Sequence, residues 1–180
     1  GESTLTTLTG VTANYQEIRN LKLQEGSFFT ESQTLSRSSV ALIGTDVGEK
    51  LFDRKAGLVG EKFRIEGQTF LVIGVLKEQG GSAFNNEDDQ VIIPLTTAQT
   101  RLIKRPNFNQ VDVLFVQAFN TDAIEQAEQE ISEILRKRHR TDLGEDDFTI
   151  ISQDDIIGIA SSVTSVLTVF LGGIAAISLL

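Results

Sequence analysis

The sequence predicts an α+β fold, with mixed small sheets packed against helices in two subdomains and a C-terminal helix that runs into a membrane segment; three stretches carry this reading. Residues 61–99 alternate short apolar runs with turn residues, in the order strand, turn, strand, loop, strand and the start of a helix. Residues 122–138 place apolar side chains at helical spacing, and residues 156–180 carry no formal charge. Strands and helices mix without a repeating strand-helix-strand unit, which sets the class as α+β.

Taken in order, Asn14 to Leu23 reads as a short helix with Tyr15, Ile18 and Leu21 or Leu23 on one side, ended by Glu25-Gly26. Phe28 and Phe29 need burial and are expected under the sheet as paired anchors. Ser38 to Gly44, centred on VALI, reads as a strand, after which Thr45-Asp46 is expected to cap a helix through Phe52 with Val47, Leu51 and Phe52 inward. Gly57 and Gly60 mark a loop from Asp53 to Gly60. Phe63 and Ile65 then alternate with Arg64 and Glu66, the period of a half-buried strand, and Glu66-Gly67-Gln68 reverses the chain. Phe70 to Leu76 is apolar on both faces except at Gly74, so this strand is expected at the centre of a sheet, with Gly74 at a bulge or a close backbone approach.

A polar loop from Gly80 to Gln90 leads into a strand, Val91 to Ile93, which Pro94 closes because it has no N–H to give. Thr96 or Thr97 is expected to cap the helix that reaches Ile103. Lys104 to Gln110 is a connector containing Pro106, and Val111 to Phe119 reads as a second strongly apolar strand. Asp122 and Glu125 are expected to form a capping box for a helix from Asp122 to Arg138. Ile124, Ala127, Ile131, Ile134, Leu135 and Arg138 share one face of it, and its acids lie early and Arg136, Lys137, Arg138 and Arg140 late, as the helix dipole favours. Gly144 to Asp147 reads as a turn, Phe148 to Ser152 as another strand, and Gln153-Asp154-Asp155 as the cap of the final helix.

Composition excludes several functions. At 180 residues the chain has the length of about one domain, and its net charge of −9 with a pI near 4.6 argues against nucleic acid, whose phosphates it would repel. It has no cysteine, which removes disulfides, thiolate metal sites and cysteine nucleophiles. The single histidine, His139, sits among arginines at a helix end, a poor setting for a Ser/His/Asp arrangement. Gly44 to Lys50, GTDVGEK, has a phosphate loop's look but its glycine spacing is short by one residue, and Asp46 and Glu49 would repel phosphate. Asn85, Asn86, Glu87, Asp88 and Asp89 lack the order and glycine of an EF-hand and read as a solvated acidic loop. The chain is therefore expected to hold no cofactor, no metal and no catalytic group.

Ile156 to Leu180 is long enough to enter a bilayer, which needs about 20 predominantly apolar residues. The run is still apolar at Leu180 and reads as cut there. Gly80, Gly81, Phe84, Asp88 and Asp89 are expected as a partner contact, an apolar residue with a polar rim on a glycine-permitted loop.

The runs VIGVLKEQGGSAF, DDQVIIPLTTAQ and VALIGTDVGEKLF, with EGSFFTES before them and ILRKRH, DDFTI and SVTSVLTVFLGGIAAISLL after, resemble the extracytoplasmic core domain of MacB-like ABC transporter permeases. The resemblance covers nearly the whole chain, in the family's order. It implies an extracytoplasmic core over 1–155, with an inserted β-rich subdomain about 38–100 and an α+β subdomain from 1–37 and 101–155 that is incomplete at the front, the first membrane helix and its following strands preceding Gly1. It implies a stalk and the start of the second transmembrane helix over 156–180, with Asp155 at the stalk and Val166, Phe170, Gly172 and Gly173 toward the membrane. The implied partners are an ABC ATPase subunit or domain reached through the membrane part, a periplasmic adaptor protein, the membrane at the C-terminus, and a second copy in a homodimeric permease of the inner membrane. ATP hydrolysis belongs to the separate cytoplasmic module. The competing expectation is a soluble ligand-binding or protein-interaction module in which the C-terminal helix is core.

Overall fold

The computed structural model describes residues 3–80, 86–103, 110–142 and 144–178. The chain divides into two compact units, residues 1–116 and residues 117–180.

The first unit is built on a six-stranded mixed sheet of β1 (Thr7–Val11), β2 (Leu23–Gly26), β3 (Val40–Ile43), β4 (Lys62–Ile65), β5 (Gln68–Leu76) and β6 (Gln90–Pro94), in the order β1-β6-β3-β5-β2. The pairs β1/β6 and β3/β5 are parallel, whereas β3/β6, β2/β5 and β4/β5 are antiparallel. Short helices α1 (Tyr15–Ile18), α2 (Glu31–Leu35), α3 (Thr45–Phe52) and α4 (Leu95–Thr97) interrupt the strands, and α4 continues as a π-helical turn, Ala98–Leu102.

VALI is apolar at every position because both faces of β3 are covered. Ala41 and Ile43 join Val47, Phe70, Val72, Val91, Ile93 and Ala98 in one cluster, while Val40 and Leu42 join Val11, Phe29, Leu76 and Ile92 in the other. Phe28 and Phe29 stack as expected, ring centroids 4.3 Å apart, with Phe29 buried in the second cluster. In β5 the register against β3 slips so that Ala41 faces Val72 and Leu42 faces Gly74. That bulge changes the parity of the strand, and the inward set runs Phe70, Val72, Val75. A Cβ at Gly74 would stand 3.1 Å from the Ser27 carbonyl and 3.2 Å from that of Glu25, which is the close approach the sequence implies. The β4–β5 hairpin turns on Glu66 (φ 46°) and Gly67 (φ 81°), both in the left-handed region a two-residue type I′ turn requires.

Several local expectations are corrected. Leu23 lies in β2 and not in a helix: α1 stops at Ile18, and pairing with the exposed side of β5 outweighs the helical spacing. The N-cap of α3 is Gly44, while Thr45 is the first helical residue. Thr96 and Thr97 cap nothing. Their hydroxyls donate to the carbonyls of Thr34 and Ser38, tying α4 to the α2–β3 connection. Helix α2 and strand β1 carried no expectation; α2 is marked by a reciprocal cap between Thr30 and Gln33. Val111 to Phe119 forms no strand among the described residues, and Val113, Leu114 and Val116 are exposed.

The second unit holds α5 (Ile124–His139) and α6 (Gln153–Ser178). The N-cap of α5 is Ala123, with no side-chain cap, so the Asp122/Glu125 box is not formed; Asn120 instead caps the preceding 3₁₀ turn, Thr121–Ala123, its side chain accepting from the Ala123 N–H. Phe148 to Ser152 forms no strand among the described residues. Arg136 reaches from α5 to Asp146 with two parallel bonds of 2.6 Å, and His139 Nδ1 lies 2.7 Å from Asp147 Oδ1, so the turn after α5 is fastened to its last turn.

The Arg136 guanidinium, through those hydrogen bonds, holds the Asp146 carboxyl below the usual carboxylate range. A depressed carboxylate stabilises the fold at pH values above its unfolded value, so this contribution is present at neutral pH and is lost as pH falls through the folded value. In a carboxyl NMR titration Asp146 is expected to protonate below the ordinary 3.8, and Arg136→Gln to return it toward 3.8. An Asp146 titrating at the ordinary value in the unaltered chain would show the pairing to be absent in solution.

Candidate functional site

The expected site residues fall in two features, the loop between β5 and β6 and helix α6. The loop starts where Lys77 N–H pairs with the Lys22 carbonyl at the end of the β2–β5 ladder. Beyond it, the N–H groups of Gln79 and Gly80 donate to the two oxygens of Asp88, each at 2.9 Å. Asp88 is only 4% exposed. Its own N–H donates to Asn86 Oδ1 at 3.0 Å, and its carbonyl accepts from Asp46 N–H at 3.1 Å. Gly44 permits this: a Cβ there would stand 2.1 Å from the Asp88 carbonyl oxygen. The glycine that gave GTDVGEK its phosphate-loop look is thus a place of close backbone contact.

Asp88 therefore corrects the expectation of a solvated acidic loop, because a carboxylate that accepts two backbone N–H bonds closes the loop at its base. Asp89 is half-buried, with one oxygen 2.6 Å from Lys50 Nζ and its carbonyl accepting from the Thr6 hydroxyl at 2.9 Å. Gly80 sits at φ 79° in the staple itself. Gly81 and Phe84 lie outside the described residues. The signal for the staple was the pairing of a glycine-rich start with an Asn-x-Asp end. It was legible as loop chemistry but not as a specific bond.

Asp88→Ala leaves two donors at the loop base without their acceptor and is expected to cost about 2–3 kcal/mol in urea denaturation, since bonds to a charged group are worth about 1.5–3 kcal/mol each and partial rehydration recovers some. Asp88→Asn keeps one acceptor oxygen and should cost less than half of that. Equal stability of all three chains would mean that the staple contributes nothing.

Helix α6 begins with a reciprocal cap. Asp155 N–H donates to Ser152 Oγ at 3.2 Å, and Ser152 donates to Asp155 Oδ2 from its N–H at 3.0 Å and its hydroxyl at 2.7 Å. The cap is thus Ser152, with Asp155 three residues in, and not the Gln153-Asp154-Asp155 run. From there the helix is apolar, and Gln153–Leu171 is long and apolar enough to cross a membrane by length and composition. Every α6 side chain described is exposed, Val166 and Phe170 among them, and Gly172 and Gly173 fall within the helical span. Three of its hydroxyls are spent inside the helix: Ser162 donates to the Gly158 carbonyl at 2.9 Å, Thr164 to Ala160 at 2.9 Å and Thr168 to Thr164 at 2.8 Å. Each such bond satisfies a polar group within the helix, which lowers the cost of entering hydrocarbon.

Among the described residues no group of three or more His, Asp or Glu side chains could hold a metal ion. His139 faces an exposed carboxylate, Asp147, and the edge of Phe148, centroids 6.2 Å apart.

The family described as the MacB-like periplasmic core domain matches residues 1–134. The macrolide export ATP-binding/permease protein MacB of Bdellovibrio bacteriovorus is 34% identical over 97% of this chain and 26% of its own length. The pyoverdine export ATP-binding/permease protein PvdT of Pseudomonas fluorescens is 35% identical over 95% of this chain and 25% of its own length. The chain thus spans about a quarter of the curated relatives it matches. Among solved structures, the extracellular domain of the noncanonic ABC-type transporter YknZ from Gram-positive bacteria superposes with a TM-score of 0.62 at 27% identity, over 78% of this chain and 68% of that one. The periplasmic region of MacB from Actinobacillus actinomycetemcomitans gives 0.63 at 20% identity, over 86% and 64%, a likeness of fold.

Proposed function

This chain belongs to the family of MacB-like periplasmic core domains, and we propose on that premise that it is the extracytoplasmic segment of an export-type ABC permease, coupling cytoplasmic ATP hydrolysis mechanically to an envelope partner and to efflux. The observation that carries the coupling is α6. A reciprocally capped helix begins at Ser152 and continues without a break into an apolar span, which suits it to act as a stiff rod between domain and bilayer. In this reading residues 1–155 stand on the periplasmic or extracellular side of the plasma membrane, and 156–180 form the stalk and the start of the second membrane helix.

The partners in this reading are the ATPase module, reached through the membrane, a periplasmic adaptor, and a second copy of the permease. The loop from Gly80 to Asp89 is a suitable platform for the adaptor, because Asp88 closes its base through the N–H groups of Gln79 and Gly80. The segment itself performs no hydrolysis.

Mechanical coupling is tested by inserting three glycines after Asp155 in the full-length permease. The insertion breaks the rod without touching the folded unit or the nucleotide module. ATP hydrolysis is expected to stay within about two-fold of the unaltered protein while export falls at least ten-fold. Export at the unaltered rate would rule out force transmission through this helix.

A further inference from the structure

Arg19 ends α1, with its backbone N–H held by the Tyr15 carbonyl at 3.0 Å, and its side chain takes two partners from distant parts of the sequence. One guanidinium nitrogen stands 3.6 Å from Glu87 Oε1, in the loop between β5 and β6. The guanidinium carbon lies 4.9 Å from the centroid of the Phe115 ring, which Tyr15 meets edge-on at 5.6 Å. Glu87 precedes Asp88, the residue that closes the loop, and Phe115 stands two residues before the second unit begins at Gln117. A single cation thus touches both the loop and the chain that leaves the first unit.

The chemistry of arginine allows both contacts at once. A flat guanidinium lays its face on a ring while its edge nitrogens remain available to a carboxylate, which an ammonium cannot do. The Arg19 and Glu87 side chains are 40% and 31% exposed, so the ion pair is of the weak, solvated kind. That weakness suits a contact that is meant to change. A cation presented at the loop by a binding partner competes for Glu87, and without Glu87 nothing on that side fixes the plane of the guanidinium over Phe115.

We infer that Arg19 is a positioning residue, which relays the state of the β5–β6 loop, through Glu87, to the chain around Phe115. The inference rests on the permease reading, in which that loop is the platform for an envelope partner, and adds to it the side chain through which engagement is passed on.

The test follows hydrogen exchange of the peptide covering 111–116 in the full-length permease. Glu87→Gln, a change in the loop, is expected to speed exchange there about three-fold, the scale of one exposed ion pair or cation–π contact. In an Arg19→Gln background the same change is expected to do nothing, because the relay is already cut. Arg19→Lys keeps the charge beside Glu87 but not the flat face over Phe115, and is expected to retain less than half of the Glu87 effect. An unchanged exchange rate in Glu87→Gln, or a Glu87 effect that persists at full size in Arg19→Gln or Arg19→Lys, would overturn the proposal. A merely structural Arg19 would alter exchange by itself without removing the dependence on Glu87. Export is read in parallel: Arg19→Gln is expected to lower it about three-fold. Unaltered export in Arg19→Gln, where the glycine insertion after Asp155 does abolish it, would also overturn the relay. Unaltered export in both variants would sink the permease reading instead, and the exchange rates would still decide whether Arg19 links loop and chain.

Discussion

Phe70→Ala is expected to lower the stability of the unit spanning residues 1–116 by about 3–5 kcal/mol, the usual cost of emptying a fully buried phenylalanine site. Phe70 is 0% exposed and lies on β5, the strand that pairs with β2, β3 and β4. Its neighbours are the inward residues of three strands and of α3, with Phe63 tilted against it at a centroid distance of 6.4 Å. The sheet cannot collapse into the space, because β5 is fixed along both edges. A total stability of about 5–15 kcal/mol would be cut to a small remainder, so urea denaturation followed by circular dichroism should show the midpoint fall sharply. Phe70→Leu retains most of the volume and should cost about 1.5 kcal/mol or less. A Phe70→Ala chain within 1 kcal/mol of the unaltered one would mean that this cluster is not the core.

The centre of the first unit was legible because its signals are local and mutually consistent. VALI, Phe70 to Leu76 and Val91 to Ile93 each declare a strand covered on both faces. Gly74 declares the bulge, and Glu66-Gly67 the turn. Val111 to Phe119 and Phe148 to Ser152 carry the same alternating signal, but alternation shows only that a segment would suit a sheet, and the described residues offer neither a partner edge. Leu23 failed for the opposite reason: β5 offered an edge, and pairing overrode a helical spacing too short to hold by itself.

The caps of α3 and α6 were each expected too late in the chain. Gly44 and Ser152 stand outside their helices, Asn120 caps the 3₁₀ turn before α5, and the acids fall within the first turns. The loop was legible as polar but not in its geometry. Nothing in the order Asn86, Glu87, Asp88 says that the last carboxylate turns inward to two N–H groups that lie eight and nine residues back. The apolar tail was plain from composition, and the structure adds the Ser152 cap and three hydroxyls bonded within the helix.

Truncation after Asp155 is expected to have the largest effect on solution behaviour. The segment removed carries no formal charge, and its described side chains are exposed, including Ile156, Ile159, Val163, Leu167 and Phe170. At about 25 cal/mol per Å², this much bare aliphatic surface drives either association or entry into a bilayer. The measurement that tests the central claim most directly compares residues 1–180 with residues 1–155 by light scattering after size-exclusion chromatography, with and without detergent, and by flotation with phospholipid vesicles. The account predicts that the longer chain needs detergent and floats with the vesicles, while the shorter one keeps its β-sheet signal, stays soluble without detergent and remains at the bottom of the gradient. A longer chain that is monodisperse without detergent and ignores vesicles, paired with a shorter one that unfolds, would contradict it and make α6 the core helix of a soluble module.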